Sequence, residues 1–235
     1  MDNSYDQIIP KVGLGTYNMD SRESEFMTYE AIKYGYRHID TAAVYKNEDG
    51  VSRALERIFN ETQLKREDIF ITTKLWPGGL IKLDRVRDYK DTLKSFEKSL
   101  MRLNLEYIDL YLIHSPHGKS KRIEQWKSLM NLKESGKVKY IGVSNWGINH
   151  INELKENNLP LPDANQIEIH PWSQKPELVK YLRENNIDII AYSSLVPLSS
   201  WRHKDGENSK KTEQMYKLGE SENSPFKLLA QKYNC

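Results

Sequence analysis

Apolar residues along the chain follow two alternating spacings. Short β-branched and aromatic runs, typical of strands, precede stretches whose apolar residues recur every three or four positions, typical of helices. Strands are predicted at 11–17, 38–40, 69–74, 107–114, 138–144, 164–170 and 187–192. Six helices are predicted after them, with first positions near Glu23, Glu48, Asp84, Ile123, Ile148 and Pro176. Repeated strand–helix units indicate parallel strands with right-handed crossovers.

The alternation stops after Tyr192. Residues 197–224 are polar and without a period, which predicts a long mobile surface loop. Pro225 suits the first turn of a partial helix over 225–235. Because no linker separates the units, we interpret 1–235 as a single domain. It is expected to lack the eighth strand and final helix of an eight-unit barrel.

Polar side chains stand at the ends of the predicted strands. In a parallel barrel these ends meet at one rim, where active sites lie. In an open, doubly wound sheet they are spread along an edge. The doubly wound alternative would use Gly13-Leu14-Gly15 as a dinucleotide turn, but Asn18 occupies its third glycine position. The polar strand ends therefore favour a TIM-type (β/α)8 barrel. In chain order these residues are Asp40, Lys74, His114, Ser144 with Asn145, Gln166 with His170, and Tyr192.

Four of these polar residues suggest acid catalysis. A free phenol has a pKa of about 10 and is a poor acid near neutrality. A nearby ammonium favours the phenolate and lowers that pKa, and a carboxylate can hold the ammonium in place. Any one of these residues alone would be unremarkable packing or solvated charge. Together they predict that Tyr45 donates a proton, Lys74 tunes it, Asp40 anchors Lys74 and His114 fixes the substrate oxygen.

Composition narrows the classes of partner. The 35 basic and 33 acidic residues are well mixed, so neither a nucleic-acid partner nor a membrane surface is indicated. The single cysteine, Cys235, gives no disulfide framework. No apolar run approaches the roughly 20 residues of a membrane-spanning helix, and no signal-peptide pattern opens the chain. We expect a cytoplasmic protein without a metal site.

Several motifs resemble those of the aldo-keto reductases, and the similarity extends over residues 8–196. The matching segments include Gly35–Ala42, Tyr45–Glu48, Thr73–Trp76, Asp109–His114 and Gly142–Asn145. The resemblance implies a (β/α)8 barrel that reduces carbonyls with NADPH. It also implies that Asp40, Tyr45, Lys74 and His114 are the catalytic tetrad.

The resemblance further implies the cofactor and substrate contacts. Ser144, Asn145 and Gln166 would bind the nicotinamide carboxamide, and Tyr192 would stack on its ring. Thr16 and Ser193 belong to matching segments and complete the predicted cofactor set. NADPH is the expected cofactor. NADH is the alternative, because in the family the turn that binds the cofactor's 2′-phosphate follows the eighth strand, which this chain is expected to lack. An apolar wall around a small carbonyl substrate is predicted from Tyr17, Trp76 and Trp172.

Two functions from different classes follow. The first is NADPH-dependent reduction of an aldehyde or ketone to the alcohol by hydride transfer, with Tyr45 as proton donor. The second is a non-catalytic or degraded cofactor-binding relative. Retention of the four catalytic residues favours the enzyme, and the missing eighth strand favours the second reading. We expect a monomer unless a partner covers the open edge between the first and seventh strands.

Overall fold

The computed structural model describes residues 9–81, 83–195, 213–214, 217–218 and 220–234. Most of the loop predicted at 197–224 lies outside these residues. The strands are β1 (Leu14–Gly15), β2 (His38–Asp40), β3 (Phe70–Leu75), β4 (Ile108–Ile113), β5 (Val138–Ser144), β6 (Ala164–Glu168) and β7 (Asp188–Tyr192). The helices are α1 (Ser21–Lys33), α2 (Glu48–Glu61), α3 (Tyr89–Leu103), α4 (Arg122–Glu134), α5 (Ile148–Glu156), α6 (Pro176–Glu184) and α7 (Pro225–Tyr233).

All seven strands are parallel and lie side by side in chain order. A hydrogen bond of 2.7 Å from Gln166 Nε2 to Asp40 Oδ2 joins β6 to β2. In a flat sheet, four strand spacings of about 4.8 Å would hold these strands roughly 19 Å apart. The sheet is therefore rolled into a nearly closed barrel, which confirms the predicted (β/α)8 class. Among the described residues, no strand pairs β7 with β1.

Two apolar clusters lie on opposite faces of the barrel wall. The smaller one is inside the barrel and includes Leu110, Leu112 and Ala164. The larger one lies between the wall and the helices and includes residues such as Ile71 and Val143. Successive side chains of a strand point to opposite faces, so strands covered on both faces read as nearly continuous apolar runs. This explains the unbroken pattern of β4.

Several element boundaries differ from the sequence prediction, among them those of β1, β6 and α3. Only two residues of the segment 11–17 form β1, and β6 ends at Glu168 instead of residue 170. Helix α3 begins at Tyr89, not near Asp84, because Asp88 caps it by accepting a hydrogen bond from the Asp91 amide at 2.9 Å. Residues 76–81 and 83–88 consequently belong to the connection between β3 and α3, of which Trp76 lines the cavity at the strand ends. No helix in the described part of the chain is long and apolar enough to cross a membrane.

Candidate active site

A cavity of about 1700 Å³ opens where the strands end and continues along β7. Every residue predicted from the sequence to form the site lines this cavity, except Thr16, Lys74 and Trp172. Members of all three predicted sets therefore line the cavity: the tetrad, the cofactor set and the substrate wall. The lining residues from those sets are Tyr17, Asp40, Tyr45, Trp76, His114, Ser144, Asn145, Gln166, Tyr192 and Ser193.

The Lys74 ammonium and the Asp40 carboxylate form an ion pair at the cavity floor, which Asp40 lines and Lys74 does not. Register places Asp40 beside Thr72, so that Lys74 lies two residues further along β3 on the same inner face. Lys74 Nζ donates to Asp40 Oδ1 and, at 2.9 Å, to the Thr41 carbonyl oxygen. The lysine side chain is 1% exposed. A charge this deeply buried requires such a partner.

Tyr45 lies above this ion pair on a single helical turn, Ala43–Tyr45, that follows β2. Lys46 ends the turn with φ = 58°. The Tyr45 ring centroid is 5.2 Å from Lys74 Nζ and 5.5 Å from the His114 ring centroid, which it meets edge to face. The structure therefore brings the four predicted catalytic residues together.

Burial raises the pKa of the Tyr45 phenol above its ordinary value, and the Asp40 carboxylate adds to the effect. This direction is opposite to the expectation that the ammonium would lower the pKa. The physical reason is that a buried phenolate loses its hydration, while the nearby Asp40 carboxylate disfavours a second negative charge. The phenol consequently keeps its proton at neutral pH until a stronger base approaches.

His114 follows β4 and is a neutral imidazole at physiological pH. Burial first, and then the positive charge of Lys74, lower its pKa from 6.5 to about 3. Its Nδ1 is buried and has no hydrogen-bond partner in the described part of the chain. An N–H at this position would have no acceptor among the described residues, so the hydrogen of the neutral ring is assigned to Nε2. The Trp76 ring lies edge to face against the imidazole, 5.8 Å away.

The predicted carboxamide-binding residues form one hydrogen-bonded group. Ser144 Oγ donates to the Gln166 carbonyl oxygen at 2.9 Å. Asn145 has φ = 61°, a left-handed conformation that asparagine adopts more readily than most residues. Its Nδ2 donates to the His114 carbonyl oxygen at 3.2 Å, and its Oδ1 accepts from Tyr192 OH at 2.8 Å. The left-handed backbone and these hydrogen bonds therefore hold the Asn145 side-chain amide at the cavity wall.

Two predicted contact residues lie away from the cavity. Thr16 is fully buried, and its hydroxyl lies 3.3 Å from Asn47 Oδ1 and 3.4 Å from the Asp40 carbonyl oxygen. Trp172 packs edge to face against Phe226 of α7, with 5.1 Å between ring centroids. Thr16 therefore has a structural contact, and its cofactor contact stays a prediction. Trp172 is not part of the described cavity wall.

Sequence reasoning missed two polar residues that support the site. Glu48 is fully buried and accepts from Thr73 Oγ1 at 2.6 Å and from Arg102 Nε at 2.7 Å. Asn47 is also fully buried. Both lie at the start of α2, where polar residues are common because they cap the helix or face solvent. Only the motif Tyr45–Glu48 singled them out in the sequence.

Comparisons with known proteins show which proteins the chain is similar to. The model of the Aldo/keto reductase family matches residues 11–235. Glyoxal reductase of Bacillus subtilis (strain 168) is 41% identical over 189 residues, which cover 80% of this chain and 64% of the relative. Methylglyoxal reductase DkgA of Yersinia pestis is 38% identical over 190 residues, with the same two coverages.

A solved structure resembles nearly the whole chain. The Bombyx mori aldo-keto reductase (AKR2E4) in complex with NADP aligns with a TM-score of 0.77 and 31% identity. The alignment covers 96% of this chain and 73% of that chain. By contrast, this chain spans less than two thirds of the length of the two curated relatives, at 64% of each.

Proposed function

Because the chain belongs to the aldo/keto reductase family, we propose that it reduces an aldehyde or ketone to the alcohol, with NADPH as hydride donor. The main observation in support is the clustering of Tyr45, the Asp40–Lys74 ion pair and His114 at the mouth of one cavity. A neutral phenol, a buried ammonium and a neutral imidazole around one open space suit protonation of a developing alkoxide.

The cavity wall fits a nicotinamide. A carboxamide presents both an acceptor and a donor, and the side chains of Asn145 and Gln166 offer the same two kinds of group beside the Ser144 hydroxyl. The Tyr192 ring supplies an aromatic surface on the adjacent strand end. The silkworm relative is described as a complex with NADP, which favours NADPH. When bound, this cofactor supplies the hydride.

The chain's own residues move the proton and stabilise charge. His114 Nε2–H donates a hydrogen bond to the carbonyl oxygen and polarises it. As the carbonyl carbon gains a hydride, its oxygen becomes a base strong enough to take the Tyr45 proton despite the raised phenol pKa. Lys74, at 5.2 Å from the ring centroid, stabilises the negative charge that appears on the phenol oxygen. The products are the alcohol and the oxidised cofactor.

Small carbonyl compounds are the proposed substrates. Tyr17 and Trp76 flank the tetrad with aromatic surface, and the Tyr17 ring lies 5.1 Å from that of Tyr45. Two relatives are named for the reduction of glyoxal and methylglyoxal. Methylglyoxal is therefore the first substrate to test.

The decisive experiment compares the wild type with Tyr45→Phe. Methylglyoxal turnover is measured through the consumption of NADPH. We expect it to fall about 10²–10⁴-fold in the variant. Binding of NADPH, measured by fluorescence titration, should stay unchanged because Phe retains the ring. Turnover by Tyr45→Phe at the wild-type rate would refute the role of Tyr45. A wild type that binds NADPH but turns over no carbonyl would support the non-catalytic alternative.

A further inference from the structure

Asn47 does not line the cavity, yet its side chain joins residues 16–19 to Thr41, the residue after Asp40. Its Nδ2 donates to the carbonyl oxygens of Thr16 at 2.8 Å and Met19 at 2.9 Å. Its Oδ1 accepts from Thr41 Oγ1 at 2.9 Å and from Thr16 Oγ1 at 3.3 Å. A primary amide has two donors and two acceptor lone pairs, so all four are used. The side chain is completely buried.

On one side, this amide fixes the residue that joins Asp40 to Lys74. Thr41 directly follows Asp40, and its carbonyl oxygen accepts a hydrogen bond from Lys74 Nζ at 2.9 Å. Asn47 Oδ1 holds the side chain of the same threonine. The position of the ion pair and the position of Asn47 are thus linked through one residue.

On the other side, the amide fixes the backbone next to the aromatic wall. Thr16 precedes Tyr17, whose ring lies 5.1 Å from that of Tyr45. Tyr45 itself is separated from Asn47 only by Lys46, which holds a left-handed conformation with φ = 58°. With Asn47 fixed, the short turn leaves the phenol little freedom.

The backbone of Asn47 is held as firmly as its side chain. Its carbonyl oxygen accepts from Ser24 Oγ at 3.0 Å and from the Gly50 amide at 3.1 Å. A Cβ on Gly50 would come within 2.1 Å of the Ser21 carbonyl oxygen, so α1 and α2 approach as closely as backbone allows. Asn47 is therefore anchored to rigid helices at the point where the Tyr45 turn ends.

We propose that Asn47 is a positioning residue for proton transfer, which sets the place of the Tyr45 hydroxyl relative to the Asp40–Lys74 pair. It acts through these contacts and touches neither substrate nor cofactor. The kinetic consequence rests on the proposed function, whereas the positioning itself does not. A displacement of about 1 Å at a reacting group costs on the order of 10²-fold in rate.

The test uses Asn47→Ala and the milder Thr41→Val, which removes only the hydroxyl bonded to Asn47. Leu55→Ala is the matched control, because Leu55 is a buried apolar residue of α2, the helix that directly follows Asn47, and has no polar side-chain contact to lose. Each protein is labelled with ¹³C-tyrosine, and the Tyr45 resonance is assigned by its disappearance in Tyr45→Phe. We expect this resonance to shift or broaden in both polar variants and to stay in place in Leu55→Ala.

Kinetics provide the second measurement. For Asn47→Ala we expect kcat to fall about 10–100-fold while the NADPH dissociation constant changes less than about twofold. An unchanged Tyr45 resonance in Thr41→Val and Asn47→Ala, or an equal loss of kcat in Leu55→Ala, would overturn the proposal. If Asn47→Ala does not fold, Thr41→Val decides. If the wild type reduces no carbonyl, the proposed function fails and the resonance alone decides the positioning role.

Discussion

Mild acid should destabilise the fold through His114. The pKa of its imidazole is lowered from 6.5 to about 3 by burial and by Lys74. In the unfolded chain the ring takes up a proton near pH 6.5, whereas in the folded chain it stays neutral. Below pH 6.5 the unfolded state therefore binds more protons. The stability contributed by the neutral ring is present above pH 6.5 and is lost as the pH falls toward 3.

The magnitude follows from the two pKa values. Each pH unit between them is worth about 1.36 kcal/mol in the free energy of unfolding. Of the interval from pH 7.5 to pH 5.0, about 1.5 pH units lie below the unfolded pKa of 6.5. His114 alone should therefore remove about 2 kcal/mol of stability over this interval.

The assay is urea unfolding of the wild type and of His114→Asn at pH 7.5 and pH 5.0. The wild type should lose about 2 kcal/mol more than the variant between the two values. Other groups, among them His38 with a pKa also lowered by burial, contribute equally to both proteins. The matched control is His117→Asn, which removes an exposed imidazole from the same connection after β4. Equal pH dependence in the wild type and His114→Asn would refute the reasoning.

Two further predictions concern stability. Lys74→Met should cost about 3–5 kcal/mol of unfolding free energy, because the largely buried Asp40 carboxylate loses its cationic partner. Urea unfolding measures this loss, and a loss no larger than that of the exposed Lys180→Met would contradict the prediction. Gly13→Ala should cost about 1–3 kcal/mol, since the new Cβ would lie 2.7 Å from His38 Nδ1. Gly15→Ala meets nothing within 4 Å and is its thermal-unfolding control; equal melting temperatures would argue against the clash.

The sequence by itself determined the elements and the order in which they meet. Alternating spacings located seven strands and six of the helices, because apolar periodicity directly reports which face of an element is buried. Parallel strands joined by right-handed crossovers can form either a barrel or an open sheet, and the succession of polar strand ends favoured the barrel. The strand-end positions of Asp40, Lys74 and His114 then followed, and their convergence at one mouth is a property of the barrel.

Only the tertiary structure decided how these groups act on one another. The contact between Gln166 and Asp40 joins residues 126 positions apart, and no local pattern encodes it. The raised pKa of Tyr45 is opposite to the sequence expectation, because desolvation is summed over neighbours from several strands. Asn47 reads in the sequence as an ordinary polar residue before a helix. Its four side-chain hydrogen bonds exist only because two other chain segments, residues 16–19 and Thr41, close around it, and periodicity carries no information about such closure.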